Sequence, residues 1–313
     1  MGNTFSAKLV DISQKIYQEW YAETVLVQSC ANDFKTELDL RTREIDIPVY
    51  HDLSIHKTTL KERELKPAPI EFLKKSTIRV TIDKGRYSHW GDTKLDEIVD
   101  ELSQEKSETR KKLIKKWAVE AEKELGEWCA KLPTKQTIDL ITILAAIDGT
   151  NTNGVLTKDS IFAALDVLKS FVTEKNMSVS DFKLFVSDRF NTVLRDSKML
   201  LGSNLDANEA FKKGFIGYAN GVDVRELSVN TIVTRNATTK MIDAEWGIWK
   251  TSDGIQYIVP YKTTISYEIS PNEILAGGTG YQTIEYYDFF NIYPSRLYKV
   301  KIRYSGTATP PSL

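Results

Sequence analysis

Three histidines and two cysteines are the residues of this chain that could hold a metal, and their spacing argues against it. His51 and His56 are five apart, which on a strand turns them to opposite faces, and His89 stands alone. Cys30 and Cys129 form no pair with zinc-ligand spacing. The run Asp148-Gly149-Thr150-Asn151-Thr152-Asn153-Gly154 has the composition of a calcium loop but fails on register. With Gly154 at the invariant turn position, Gly149 and Ser160 fall where the first and last carboxylates are required. An Asn/Gly-rich turn is the simpler reading, and no cofactor is expected.

Other chemistry is equally thin. Gly214, Gly217 and Gly221 are spaced GxxGxxxG, which matches neither a dinucleotide fingerprint nor a P-loop, and strand-like residues follow rather than a helix. Glycines that permit turns and close backbone approach fit better. There is no Gly-x-Ser-x-Gly elbow, and neither cysteine sits in a recognisable local signature, so no catalytic residue is assigned and no enzyme is expected. The remaining candidate is a basic run, Lys106, Arg110, Lys111, Lys112, Lys115 and Lys116, interrupted by Glu108 alone among acidic residues. It suits a solvated helix face or an acidic neighbour, and any DNA contact through it would be of the phosphate type, blind to sequence.

Composition sets the wider bounds. Lys and Arg total 42 against 43 Asp and Glu, so no global field draws the chain to nucleic acid or to a membrane. At 313 residues it can bury a large core. Two cysteines fit a reducing compartment and no disulfide scaffold. No apolar run approaches the ~20 residues of a membrane span, and no charged-then-apolar leader supports secretion. The sequons at Asn176 and Asn236 are therefore read as chance matches, as is the myristoylation pattern starting at Gly2.

The elements that must position these residues can be read from periodicity. Leu9, Ile12, Ile16 and Trp20 mark a short amphipathic helix within residues 4–22 that needs something to pack on. Glu44 to Val49 and Thr77 to Ile82 alternate as strands, and the charged segment between them, with Pro67 and Pro69, reads as a long protruding loop. Leu95, Ile98, Val99 and Leu102 begin a helical stripe, which Leu113, Trp117, Ala121, Leu125 and Trp128 or Cys129 continue to the Pro133 stop. Taken from Lys94 to Lys131 it is one long strut; a break near 103–107 divides it. Ile138 to Ile147 is apolar and ambiguous. Thr157 or Asp159 can cap a helix running to about Val172. Phe182 to Val186 reads as a buried strand, Ser187 as the N-cap of a helix ending near Lys198, and Gly214 to Val224 as a pair of short strands. From Ala244 onward short β segments dominate, among them 255–260, 263–269 and 297–304, crowded with tyrosine. The Pro/Thr/Ser-rich tail is expected to be loose.

In this order the elements resemble the major capsid protein of tailed bacteriophages, the Hong-Kong-97-like fold. The resemblance rests on Ile45-Asp46-Ile47-Pro48 before the loop and Thr77 to Tyr87 as the returning strand. It continues through Lys111 to Cys129 as the spine helix, then Phe182 to Ser187 with its helix, and Gly214-Phe215-Ile216-Gly217 through Gly221-Val222-Asp223-Val224. It implies an α+β fold divided into an N-terminal arm (1–38), strands with an extended loop (39–91), a peripheral domain with the spine helix (92–149 and 271–308), an axial domain (150–270) and a tail (309–313).

The resemblance further implies a shell subunit that assembles with itself into hexamer and pentamer rings around packaged double-stranded DNA, located in the virion and assembled in the host cytoplasm. Scaffold and portal proteins would be partners, with no role for a membrane. Loop residues Lys57, Lys61, Arg63, Lys66 and Pro67 would reach across to a neighbouring subunit, the basic run would face DNA, and Gly214, Gly217 and Gly221 would shape turns of the axial domain. The short arm suggests a separate scaffold or a shortened chain. An encapsulin-like cage for protein cargo, or a sequence-independent DNA-binding protein, are the alternatives.

Overall fold

A computed structural model of the chain describes residues 23–31, 44–50, 75–93, 105–147, 153–197, 215–227, 232–235, 242–269 and 278–304. Strand β1 (Glu44–Tyr50) pairs antiparallel with β2 (Lys75–Thr81) in the register Ile45↔Val80. Period two buries Ile45, Ile47 and Val49 while Glu44 and Asp46 point out, and Arg79 Nε donates to Asp46 across the hairpin at 2.9 Å. The expected strand pair is present; the loop joining it, like the expected helix in residues 4–22, lies outside the described residues. β3 (Lys84–Thr93) follows at once.

The strut is helix α1 (Glu105–Ala130), about 39 Å long at ~1.5 Å per residue. Its buried stripe runs Ile114, Trp117, Ala121, Leu125 and Cys129. Cys129 rather than Trp128 completes it, because Trp128 lies half-buried at the edge against Phe289. The stripe's expected beginning at Leu95 to Leu102 lies outside the described residues. The ambiguous apolar run divides: β4 (Thr137–Asp139) leads straight into α2 (Leu140–Ile147), with the Asp139 carboxylate accepting from Thr142 N–H at the junction.

Helix α3 (Ile161–Thr173) buries Ile161, Leu165, Leu168 and Val172, as the periodicity predicts. Of the two expected caps, Thr157 serves: its Oγ1 accepts from Ser160 N–H at 3.3 Å, its N–H donates to Ser160 Oγ at 2.8 Å, and its carbonyl accepts from Ile161 N–H at 3.1 Å, a reciprocal capping pair one turn ahead of the regular helix. Strand β5 (Lys183–Val186) precedes α4 (Asp188–Asp196). Ser187 occupies the position before α4, and its carbonyl accepts from Asn191 N–H, but its hydroxyl donates to the buried Glu245 carboxylate instead of capping the helix. A buried charge has the stronger claim on a hydroxyl than a helix end that solvent can reach.

The remaining strands are β6 (Phe215–Ala219), β7 (Val222–Glu226), β8 (Val233–Arg235), β9 (Ile242–Lys250), β10 (Gln256–Ile269), β11 (Gly278–Phe290) and β12 (Leu297–Ile302). The two segments expected at 255–260 and 263–269 are one strand. Pro260 lacks an N–H for the ladder, and the register slips between Ile258 and Tyr261, so a bulge absorbs it.

Two sheets organise the molecule. The larger has seven strands in the order β4-β12-β9-β5-β7-β6, with β8 beside β9. Neighbouring residues in its centre serve opposite cores: Leu184 and Val186 face α2, α3 and α4, while Phe185 faces α1. Trp249 and Ile248, and likewise Tyr298 and Leu297, divide the same way. The result is three layers, and it explains why β5 reads as an unbroken apolar run. The smaller sheet, β10-β11-β3, packs Tyr257, Tyr287 and Phe289 on α1. The β1–β2 hairpin packs Ile45, Ile47, Val80 and Ile82 against Ile258, with Phe290 and Ile292 beside them.

Candidate assembly surface

The residues that could act between copies of the chain are set by α1, so the contacts that fix α1 come first. Residues 25–27 lie across it, and their three backbone N–H groups converge on one oxygen, Glu122 Oε1, at 2.7, 2.7 and 3.1 Å. Part of the residue reaches solvent, but the carboxylate is enclosed, and burial drives its pKa up to about 7 against the opposing pull of those N–H groups and of Lys250. From the other side Lys250 Nζ donates to Ser29 O at 2.8 Å and to Thr251 O at 3.3 Å, its own pKa pushed down by burial. One acid holds the donors of this segment and one base an acceptor. Cys30 and Cys129 lie buried here, and burial raises both thiols, which leaves them inert as nucleophiles.

A second polar group ties the smaller sheet to α1. Arg86 on β3 reaches Glu124 at 3.2 Å and Glu285 at 3.4 Å, while its guanidinium stacks 4.0 Å from the Tyr287 ring centroid. Tyr287 donates to Glu124, and Tyr257 donates to Glu285 at 2.9 Å. Burial raises the Glu285 pKa and Arg86 opposes it. These groups orient the sheet on the helix with charge-assisted bonds that plain apolar packing would lack. Among the described residues, no cluster of three or more His, Cys, Asp or Glu could hold a metal ion.

The far face of the smaller sheet is different. The registers put Gly85, Tyr87 and His89 of β3, Gly280 to Tyr286 at even positions of β11, and Tyr261 to Tyr267 at odd positions of β10 on one face. No Asp, Glu, Lys or Arg stands there among the described residues. Tyr87 is 71% exposed, Ile265 47%, Tyr267 46% and Tyr286 39%. Two rings lie flat over glycines. A Cβ on Gly85 would come within 2.9 Å of the Tyr286 ring, and one on Gly280 within 2.4 Å of the Tyr267 ring.

The residues singled out from sequence fall in separate places. Lys111, Lys112, Lys115 and Lys116 are exposed on α1, in the turns before Val119, itself exposed. Lys106 and Arg110 lie in the same helix, their side chains outside the described residues. Lys57, Lys61, Arg63, Lys66, Pro67 and Gly214 also lie outside them, as do His51 and His56. Gly217 sits at a register slip in β6, and Gly221 follows Asn220 in the two-residue turn between Ala219 and Val222. Both turn residues have positive φ, 50° and 79°, the conformation an Asn-Gly hairpin turn requires. The Glu122–Lys250 clasp and the tyrosine face were not singled out. The clasp joins residues about a hundred positions apart or more, and no local pattern shows that. The tyrosine crowding was visible, but which rings share a face depends on register.

No protein-family model and no curated protein sequence matches this chain. Solved structures do. The capsid of Ralstonia phage GP4 aligns over 90% of this chain and 88% of its own at TM-score 0.56 and 9% identity. The capsid of cyanophage P-SCSP1u aligns over 88% of both chains at TM-score 0.54 and 11% identity. A virus-like particle from Pyrococcus furiosus aligns over 95% of this chain and 99% of its own at TM-score 0.51 and 11% identity. The chain therefore has the α+β, Hong-Kong-97-like fold of tailed-phage capsid proteins, and the resemblance read from sequence holds at the level of fold.

Proposed function

We propose that this chain is the major capsid protein of a tailed phage and builds a closed shell from many copies of itself, in hexamer and pentamer rings enclosing double-stranded DNA. The observation that carries the reading is the shared fold over nearly the whole of two phage capsid chains, at identities too low for anything but architecture to be in common. In this reading residues 150–270 gather at the ring axis, and α1 with the last strands forms the periphery that meets adjacent rings. The segment with Lys57, Lys61, Arg63, Lys66 and Pro67 reaches over a neighbour. Lys111, Lys112, Lys115 and Lys116, exposed on α1, together with Lys106 and Arg110, offset phosphate charge without reading sequence. The turn at Gly221 and the register slip at Gly217 shape the axial edge, with Gly214 ahead of them in the chain. Scaffold and portal proteins complete the assembly in the host cytoplasm. No helix among the described residues is long and apolar enough to cross a membrane.

The match to a virus-like particle supports a second reading, an encapsulin-like cage around protein cargo. Electron microscopy of the purified chain, alone and with a scaffold partner, tests the common premise. Closed particles of uniform size are expected, and small monodisperse species under every condition would overturn it. Nuclease-protected DNA inside recovered particles separates virion from cargo cage. Tight, strongly salt-dependent DNA binding by the free subunit, with no particles, would favour the DNA-binding alternative instead.

A further inference from the structure

We infer that the uncharged tyrosine face of the β10-β11-β3 sheet is a contact between copies of this chain, buried when the shell forms. The inference rests on the shell reading and assigns it a surface. From Thr283 to Phe289 burial alternates along β11: Thr283, Glu285, Tyr287 and Phe289 are buried, and the even positions between them are more open. At its base the open side is already covered, since the chain's own β1–β2 hairpin seats Ile45, Ile47, Val80 and Ile82 on Ile258 and Phe290. Farther out the same face continues bare, with Tyr87, Ile265, Tyr267 and Tyr286 exposed. The Lys84–Asp288 ion pair, at 3.2 Å, marks the boundary between the two parts; a surface that is roofed by apolar strand residues on one side of that boundary and uncharged beyond it calls for a cover of the same chemistry.

Charge and area point to a second copy as that cover. The chain carries a net charge of −1, so copies approach without mutual repulsion. The bare patch spans about 20 Å along three strands spaced ~4.8 Å apart, on the order of 300 Å². A stable pairwise interface needs about 800 Å² from each partner. Alone, then, this face cannot hold a dimer; it forms only alongside other contacts, as in a ring or shell, where linked weak contacts reinforce each other. The flat rings over Gly85 and Gly280 keep the face level enough for such a contact. A β-carbon at either glycine would lift its ring.

Tyrosine nitration followed by peptide mass spectrometry, on assembled particles and on subunits dissociated from them, tests this directly. Tyr87, Tyr267 and Tyr286 are expected to react at least about tenfold more slowly in particles; equal reactivity in particles and subunits would overturn the inference while leaving the shell reading intact. If no particles form at all, both fall. As a second test, Ile265→Glu and Tyr87→Glu are expected to leave the melting curve of the subunit unchanged and to lower particle yield by about tenfold or more. Lys262→Ala, on the opposite face of the same strand, should assemble like the parent. Normal yield from both glutamate variants, or an equal loss in Lys262→Ala, would refute the assignment. Protection of the tyrosines only when a scaffold or other protein is added would place that protein, and not a second copy, on this face.

Discussion

The two larger sheets among the described residues solve the same problem in opposite ways. The seven-stranded sheet is enclosed on both faces, by α2 to α4 on one side and by α1 on the other, so Leu184, Phe185 and Val186 of β5 each have a core to enter. The three-stranded sheet has one face on α1, held by Arg86, Glu124 and Glu285, and another whose base is covered by the described part of its own hairpin. The first is finished by the chain that makes it. The second is left for something outside, and its missing charges mark it as a surface meant to be covered, unlike ordinary solvated surface.

The comparison predicts where damage will be felt. Trp249→Ala, in the centre of the enclosed sheet, should lower stability by about 3–5 kcal/mol in denaturant unfolding. A loss as small as that of a surface substitution would mean that this sheet is less closed than described. Glu122→Ala strips the acceptor from three N–H groups and should cost roughly 2–3 kcal/mol, whereas Glu122→Gln keeps an oxygen there and should cost less. The two variants also differ from the parent in pH response. Glu122 holds its proton more tightly folded, with a pKa of about 7, than at its ordinary value of 4.5. Folding therefore takes up a proton between those values, and this group's contribution to stability falls as pH rises through that window. Unfolding titrations of Glu122→Gln across the same range should lack that share of the slope.

Smaller effects belong to turns and surfaces. Gly221→Ala has open space for its methyl group but must keep φ near +79°, so about 1 kcal/mol is expected from thermal melting. Exchanging Lys111, Lys112, Lys115 and Lys116 for glutamine should move stability by less than about 0.5 kcal/mol per site, while the nucleic-acid content of recovered particles falls if these lysines meet phosphate.

Much of the fold was legible because local patterns carried it. Alternation gave β1 and β2, helical spacing gave α1 and α3, and the unbroken run Leu184-Phe185-Val186 showed a strand buried on both sides. Asn220-Gly221 marked its own turn. What was hidden depended on distant partners. Ser187 looked like a cap because nothing nearby shows Glu245, and Pro260 looked like a terminator because a bulge is visible only beside the partner strand. The tyrosine face needed three registers at once. At residues 25–27 the side chains of Leu26 and Val27 enter the core on α1, but the three backbone N–H groups that meet Glu122 leave no mark in residue type.

That backbone anchor has a mechanical consequence. Three donors meet a single carboxylate oxygen, so a pull on the chain ahead of Glu23 loads all three bonds in parallel and cannot peel them one after another. With Lys250 of β9 gripping Ser29 O just behind, the same short segment fastens the middle of α1 to the larger sheet.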